Sequence, residues 1–368
     1  MTEPVGIGII GLGNISPAYL KAAASFPILD IRGITDINPA AAEARAAEFG
    51  LRAMTVDQLL ADPAIEIVLN LTIPIAHVEV GLRALDAGKH VYSEKPLGVV
   101  FAEGRRLIEA ARAKGLRVGS APDTFLGGSH QTARHMIDQG AIGRPVGGSA
   151  FFMCPGHERW HPNPAFYYDR GGGPMLDMGP YYLTDLINLL GPVAKVAAFA
   201  VTPHATRTIT SKERYGEVIP VHVPTHVAGT LAFRSGSVVQ MATSFDVAGH
   251  KHLPLEIYGT DATLIVPDPN RFGGQIELME KGGEWADIAT SQPYADGNYR
   301  SIGLADMAQA VRENRPHRAS GDLALHVLEV MEAFQRSSED GTAVEISTTV
   351  AQPAPLSASL VDGRIGQV

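Results

Sequence analysis

The chain has 368 residues, 45% hydrophobic and 19% charged, a composition that packs a core and does not suit a disordered chain. A net charge of −9 without any Lys or Arg stripe argues against binding along nucleic-acid phosphates. Cys154 is the single cysteine, so no intrachain disulfide forms, and no apolar run approaches the roughly 20 residues that cross a bilayer.

From residue 5 to about 122, short apolar runs alternate with amphipathic stretches, the pattern of a parallel sheet covered by helices. The runs are Val5 to Ile10, Leu29 to Thr35, Ile65 to Leu71, Lys89 to Ser93 and Leu116 to Ser120. Helical spacing fills Ala40 to Phe49, Ala76 to Ala87 and Phe101 to Lys114. This predicts an α/β fold with a Rossmann dinucleotide-binding domain over 1–122.

Beyond residue 123 the texture changes. Helices are expected at Gln131 to Gln139 and Met178 to Leu190, on either side of a Pro-, His- and aromatic-rich loop from Cys154 to Gly173. Strands are expected at Val193 to Val201, His226 to Phe233, Ser237 to Phe245, Leu255 to Tyr258 and Thr263 to Val266, with Arg234-Ser235-Gly236 closing a hairpin. The second domain, 123–368, thus reads as α+β, built on a mostly antiparallel open sheet that binds substrate and carries oligomer contacts. A late helix over 322–336 packs back towards the first domain, and a Pro- and Ser-containing tail after it is expected to be mobile.

Gly11-Leu12-Gly13-Asn14-Ile15-Ser16 lies between the first strand and the first helix, where glycines let the backbone approach a pyrophosphate and helix N–H groups face it. Ser16 stands where a third glycine is usual, and Pro17 suits a first helical turn. Asp36 ends the second strand at about the 20-residue spacing of an acid that binds the adenosine ribose. A carboxylate there accepts from the ribose hydroxyls and repels a 2′-phosphate, which favours NAD over NADP.

The run Lys89 to Ser93, taken as the fifth strand of the fold, leads into Ser93-Glu94-Lys95-Pro96 at the carboxyl edge of the sheet. The glycine loop, the acid after strand two and this Glu-Lys-Pro resemble the Gfo/Idh/MocA oxidoreductases, the glucose-fructose oxidoreductase and inositol dehydrogenase family. Thr72 to His77, similar to that family's loop after strand four, and Gly171-Gly172-Gly173 leading to Asp177 extend the likeness along the chain.

The resemblance implies that Gly11, Gly13, Asn14, Ile15, Asp36, Thr72, His77, Glu94 and Lys95 hold NAD, that Lys95 also touches the reacting hydroxyl, and that Pro96 follows a cis peptide. It places Asp177 beside the substrate, with Tyr181 where the family carries a histidine. Asp177 and Tyr181, at i and i+4, share a helix face. Oxidising a secondary alcohol needs a hydride acceptor and a base. Lys95 beside a nicotinamide cation is expected to shed its proton more readily than in water. Tyrosine is a poor base at neutral pH, so the proton acceptor is Lys95 alone, or His157 or His161 supplies the imidazole.

His157-Glu158-Arg159-Trp160-His161 also fits a zinc-protease pattern, but that site needs a helix, and Pro155, Gly156, Pro162 and Pro164 favour a loop. No metal is therefore expected. Aromatic faces and imidazoles suit a carbohydrate wall, for which His157, Trp160, His161, Tyr167, Tyr168 and Arg170 are candidates, joined by Asp123 and Thr124 after the last nucleotide-domain strand. The expected protein is a cytoplasmic homodimer or homotetramer that oxidises or reduces a sugar, cyclitol or related polyol. A glycosidase acting through transient oxidation and a non-catalytic nucleotide sensor are the competing readings.

Overall fold

The computed structural model describes residues 3–357 and residue 365. Its first sheet contains β1 (Val5–Ile10), β2 (Leu29–Thr35), β3 (Ile67–Asn70), β4 (His90–Ser93) and β5 (Val118–Ser120), in the order β2-β1-β3-β4-β5 and parallel throughout. Helices α1 (Ser16–Ala23), α2 (Pro39–Phe49), α3 (Val56–Ala61), α4 (His77–Asp86) and α5 (Phe101–Ala113) connect the strands. Covering both faces leaves no polar alternation in the central strand, and all of β1 is buried. Ile7 and Ile9, fully enclosed, each contribute on the order of 2 kcal/mol through burial.

The two expected loops fall one strand early: Thr72 to His77 follows β3, and Glu94-Lys95-Pro96 follows β4. An isolated parallel bridge joins Ala53 to Ile34 at the β2 edge of the sheet.

The second sheet comprises β6 (Pro145–Met153), β7 (Val193–Val201), β10 (His226–Phe233), β11 (Val238–Ser244), β12 (Leu255–Gly259), β13 (Ala262–Val266), β14 (Ile276–Glu280), β15 (Trp285–Ile288) and β16 (Val344–Glu345). Its order is β15-β14-β13-β12-β6-β11-β10-β7-β16, and only β6 and β11 pair in parallel. A separate hairpin joins β8 (Thr206–Thr208) to β9 (Val218–Pro220). Sequence reading misses β6 because Gly147 and Gly148 look like a turn. They are there for close approach: an added Cβ would lie 2.5 Å from Val238 O at one and 2.4 Å from Glu256 O at the other, the strands on either side.

Helices α6 (Gly128–Asp138), α7 (Gly173–Leu190) and α9 (Gly321–Asp340) cover one face of this sheet, while α8 (Ile302–Glu313) packs on α1 and β5. The start of α9 reaches the first domain as well: Ser120 N donates to Ala319 O at 3.1 Å, and Arg112 pairs with Asp322 at 2.6 Å. The tail is less free than expected over 344–357. Glu329 accepts from Ser347 and Thr348, Arg318 Nε donates to Ala354 O at 2.8 Å, and Leu356 N donates to Gln131 Oε1 at 2.7 Å. The rest of that expectation, 358–364 and 366–368, lies outside the described residues. Among the described residues no helix is long and apolar enough to cross a membrane.

Candidate active site

The loop after β1 turns at Gly11, whose φ of +96° suits glycine and whose added Cβ would lie 2.6 Å from the backbone of Leu71. A Cβ on Gly13 would meet nothing within 4 Å, so the backbone is open on that side. Ser16 fits the third-glycine position because it is fully buried and its hydroxyl donates to Gly13 O at 2.9 Å. No side chain caps α1, but Ser16 N donates to Gly13 O at 3.1 Å, Ala18 N to Ile15 O at 3.0 Å, and Pro17 has no N–H, so the backbone that can meet an anion here is that of the loop ahead of the helix. Asp36 ties the rim together, accepting from Leu12 N at 2.8 Å and Asn38 N at 2.9 Å, and each oxygen keeps a lone pair for a ribose hydroxyl. Ile37 beside it is fully exposed and brings no cation. These residues fit a dinucleotide, whose pyrophosphate the loop backbone would face and whose adenosine ribose Asp36 would bind.

One strand end further along the edge lies the reactive group. Glu94 is fixed by Tyr19, whose hydroxyl donates to it at 2.7 Å, and by the Lys95 N–H at 2.8 Å. The Lys95–Pro96 peptide is cis. Lys95 Nζ reaches across the cleft to Asp177, donating to Oδ1 at 2.9 Å and to the main-chain carbonyl at 2.7 Å. Pro180 in α7 has no N–H for Leu176 O, whereas Asp177 O accepts from Lys95 through one of the two lone pairs that a carbonyl oxygen carries. The helix begins at Gly173, five residues before the expected Met178, so Asp177 belongs to its early turns, where it is half-buried.

His157 completes the group from the aromatic loop. Its Nε2 lies 3.1 Å from Asp177 Oδ2, and its Nδ1 accepts from Trp160 Nε1 at 3.2 Å. Indole only donates, so the pattern assigns the Nε2–H tautomer and makes the imidazole a donor to the carboxylate. Of the two histidines considered for the missing imidazole, His157 is the one placed against Asp177. Burial works to lower the Lys95 ammonium's value, but Asp177, Tyr181 and Glu94 outweigh it and hold it above the ordinary lysine range. Burial pushes the Asp177 carboxyl up, yet Lys95 and His157 overcome this and hold it at about 2. In the free protein Lys95 is thus a firmly held ammonium, because the carboxylate 2.9 Å away stabilises its charge; the easier proton loss expected beside a nicotinamide cation concerns the loaded protein.

Residues 5–121 match the Gfo/Idh/MocA oxidoreductase family, NAD-binding Rossmann fold, and residues 130–265 match the Gfo/Idh/MocA C-terminal domain. The chain belongs to this family. It is 25% identical over 348 residues to a 1,5-anhydro-D-fructose reductase of Ensifer adhaerens, covering 93% of this chain and 98% of that one. It is 25% identical over 327 residues to a levoglucosan dehydrogenase of Pseudarthrobacter phenanthrenivorans, covering 80% and 83%. In fold it is similar to an NAD-binding oxidoreductase from Klebsiella pneumoniae, with a TM-score of 0.81 at 24% identity over 94% of this chain and 99% of that one.

In this Gfo/Idh/MocA oxidoreductase the remaining predicted residues fall into two sets. Tyr181 lies at the cleft: Lys95 Nζ is 5.1 Å from the centre of its ring, and its hydroxyl accepts from Arg300 at 3.4 Å. Burial raises the phenol's value, with Lys95 and Arg300 offsetting part of that, so it stays protonated at neutral pH. Trp160, 60% exposed, and His161 stack edge to face beside His157. Thr72 donates to Asn70 at 2.7 Å at the end of β3.

The others, Arg170 apart, are turned inward. His77 is buried with its ring nitrogens 2.7 Å from Pro96 O and 3.0 Å from Thr72 O; burial favours the neutral ring, which donates to one of these carbonyls while it packs between the two edge loops. Asp123 is buried under the start of α8, accepting from Ser301 N and Gly303 N at 3.1 and 3.0 Å, and Thr124 is buried beside it. Tyr168 is fully buried and donates to Glu158, which leaves it no face towards the cleft. Arg170 is exposed and lies 3.6 Å from Glu103. The zinc-like residues diverge: His157 turns to Asp177, while Glu158 turns to Tyr168 and Arg207.

Sequence reading missed Arg300, whose guanidinium stands over Tyr181 and donates to Asn270 Oδ1 at 2.9 Å. Ser301, the next residue, has a φ of +129°, a conformation that costs a non-glycine residue about 1–3 kcal/mol. The Asp123 bonds and that from Ser301 Oγ to Tyr19 O at 3.0 Å hold it there. The only local sign was a polar Asn-Tyr-Arg-Ser stretch before a helix.

Proposed function

We propose that the protein is an NAD-preferring dehydrogenase or reductase that interconverts a secondary alcohol and a ketone on a sugar, cyclitol or related ring. The observation that carries this reading is the Lys95–Asp177–His157 chain of bonds at the carboxyl edge of a dinucleotide-binding sheet. The names of its relatives, a 1,5-anhydro-D-fructose reductase and a levoglucosan dehydrogenase, support a sugar-like substrate. Bound nicotinamide supplies the hydride acceptor or donor.

The chain's own residues handle the proton. As an ammonium, Lys95 donates to a substrate oxygen and stabilises the negative charge that develops there. Asp177 aims that ammonium, and His157 occupies the second carboxylate oxygen so that the first stays on Lys95. Trp160 and His161 offer an aromatic wall to the C–H face of a ring, and Tyr181 lies beneath the cation. Because Lys95 starts protonated, reduction is the readier direction at neutral pH, and oxidation gains as pH rises.

The test is a panel of monosaccharides, inositols, anhydrosugars and sugar acids, with the matching ketoses, assayed by nicotinamide absorbance with NAD and NADP. Turnover of at least one ring alcohol with NAD favoured is expected; glycoside cleavage without net NADH, or no turnover at all, would overturn the reading. Asp36→Ala is expected to weaken NAD roughly tenfold and narrow the preference over NADP. The sheet face opposite the helices carries Phe199, 76% exposed, in one row with Ala228, Ala242 and Phe151, which supports a homodimer or homotetramer.

A further inference from the structure

We infer that Arg300 binds a carboxylate on the substrate, so that the ring this enzyme handles best is a sugar acid rather than its neutral parent; the inference rests on the dehydrogenase reading for the position of the reacting alcohol.

Arg300 stands apart from the other enclosed arginines in what it touches. Arg134 bonds Asp138 at 2.8 Å, Arg315 bonds Asp306 at 2.9 Å, Arg318 bonds Asp306 at 2.6 Å, and Arg207 bonds Asp246. The contacts of Arg300 are neutral: Asn270 Oδ1 at 2.9 Å and, weakly, the Tyr181 hydroxyl at 3.4 Å, both from the same Nη2. Among the described residues no carboxylate pairs with it within 4 Å. The nearby acids are engaged elsewhere, Glu94 by Tyr19 and the Lys95 N–H, Asp123 by Ser301 and Gly303. A guanidinium offers five N–H donors in a planar fork, which leaves Nη1 and Nε for a further acceptor. Burial works against the charge and Tyr181, Glu94, Tyr19 and Asp123 offset this, the two acids from a distance without bonding the guanidinium, so a planar carboxylate meeting that fork supplies the direct, charge-assisted bonds it lacks.

The place of the charge fits a ring substituent. Its guanidinium carbon is 5.8 Å from the centre of the Tyr181 ring, and Lys95 Nζ is 5.1 Å from the same point. The two cations are therefore no further apart than the sum of those distances, about 11 Å. A hexose-sized acid with its alcohol on Lys95 can set its carboxylate on Arg300. A phosphate suits the place less well, because Glu94 and Asp123 repel the second charge of a dianion. A neutral sugar displaces water from the guanidinium without replacing its ionic partner, and unpaired buried polar groups are what give such sites their discrimination.

The test uses the protein loaded with NADH, so that no alcohol is consumed, titrated calorimetrically with uronates and aldonates of the gluco, galacto and manno series, each beside its neutral parent, and with glucose 6-phosphate. At least one acid is expected to bind tenfold or more tightly than its parent. In Arg300→Gln that ratio falls to near one, and Arg300→Lys keeps part of it. Both members of a pair are measured on the same variant, so a folding defect weakens both and leaves the ratio unmoved. Equal or absent binding across every pair, tighter binding of the sugar phosphate than of any uronate, or loss of NADH affinity in Arg300→Gln with the ratio intact overturns the inference. The reaction is judged separately. An Arg300-dependent acid preference without turnover in the NAD panel removes the dehydrogenase reading alone, and turnover of neutral rings without an acid preference removes the inference alone.

Discussion

At the carboxyl edge of the five-stranded sheet, Gly11, Asp36, Thr72, Glu94 and Lys95 all lie within two residues of a strand end, on successive loops of one repeating βα pattern. The facing wall is assembled differently: Asp177 comes from α7, His157 from an irregular loop before it, and Arg300 from a strained segment ahead of α8. The first wall is a product of local turns, and its chemistry moves with the backbone. The second depends on long-range packing, so its groups meet only when the whole second domain is folded. The Lys95–Asp177 bond is where the two meet, and breaking it tests both.

The largest effect is expected from Lys95→Ala, which removes the group proposed to carry the proton. Turnover should fall at least about a thousandfold, while NAD affinity, held mainly by the other loops of the same wall, changes little. Near-normal kcat would take Lys95 out of the mechanism. Asp177→Asn attacks the bond from the other side and is expected to cost roughly a hundredfold in kcat. It also moves a pH limit. Asp177 helps hold the lysine above its ordinary range, so without that charge the ammonium is lost at lower pH, and the alkaline limb of the reduction profile should shift downwards. An unmoved limb would show that another group sets it.

His157→Phe is milder because it leaves the ion pair in place. The ring neighbours, Tyr167 at 4.5 Å and Trp160 at 5.3 Å between centroids, accept another aromatic, but Asp177 loses its second donor. A fall of about tenfold in kcat, with NAD affinity intact, is the expected reading. If NAD affinity fell instead, the second wall would be acting on the first through packing.

The same contrast governs how much could be read without coordinates. The Gly11–Ser16 loop, Asp36 and Lys95 are short-range motifs whose spacing carries their meaning, and the strand ends beside them were placed to within about two residues. Asp177 and Tyr181 were legible as an i, i+4 pair, although Pro180 hid the first turn of their helix. His157 appeared only as one of two imidazoles on a loop, since which one reaches Asp177 is decided by how Glu158 and Tyr168 anchor that loop from below. Arg300 carried no periodic signal. Its position comes from Asp123, nearly 180 residues earlier in sequence, fixing the backbone of Ser301. β6 was lost because glycine at a close approach of strands looks the same in sequence as glycine at a turn.

The smallest effect compares the two regions through a histidine in each, half-buried in the first and buried in the second. In the first, His90 at the start of β4 accepts from Arg117 N at 2.9 Å; in the second, His326 in α9 accepts from Val193 N at 3.0 Å. Both rings must be neutral at the accepting nitrogen, and burial, followed for His90 by the Arg117 charge, lowers each to about 4. For His326 the nearby Glu329 works in the opposite direction but does not win. In the unfolded chain a histidine titrates near ~6.5. Between about 6.5 and about 4, therefore, the unfolded state takes up protons that the folded state refuses. Stability is full above that window and is lost as pH falls through it. Urea midpoints measured at pH values across the window should drop for the wild type, and the drop should be smaller in His90→Gln and in His326→Gln. If the two substitutions reduce it independently, each region contributes its own acid-sensitive contact; if neither does, the acid loss arises from the carboxylates and this pairing of histidines is not its source.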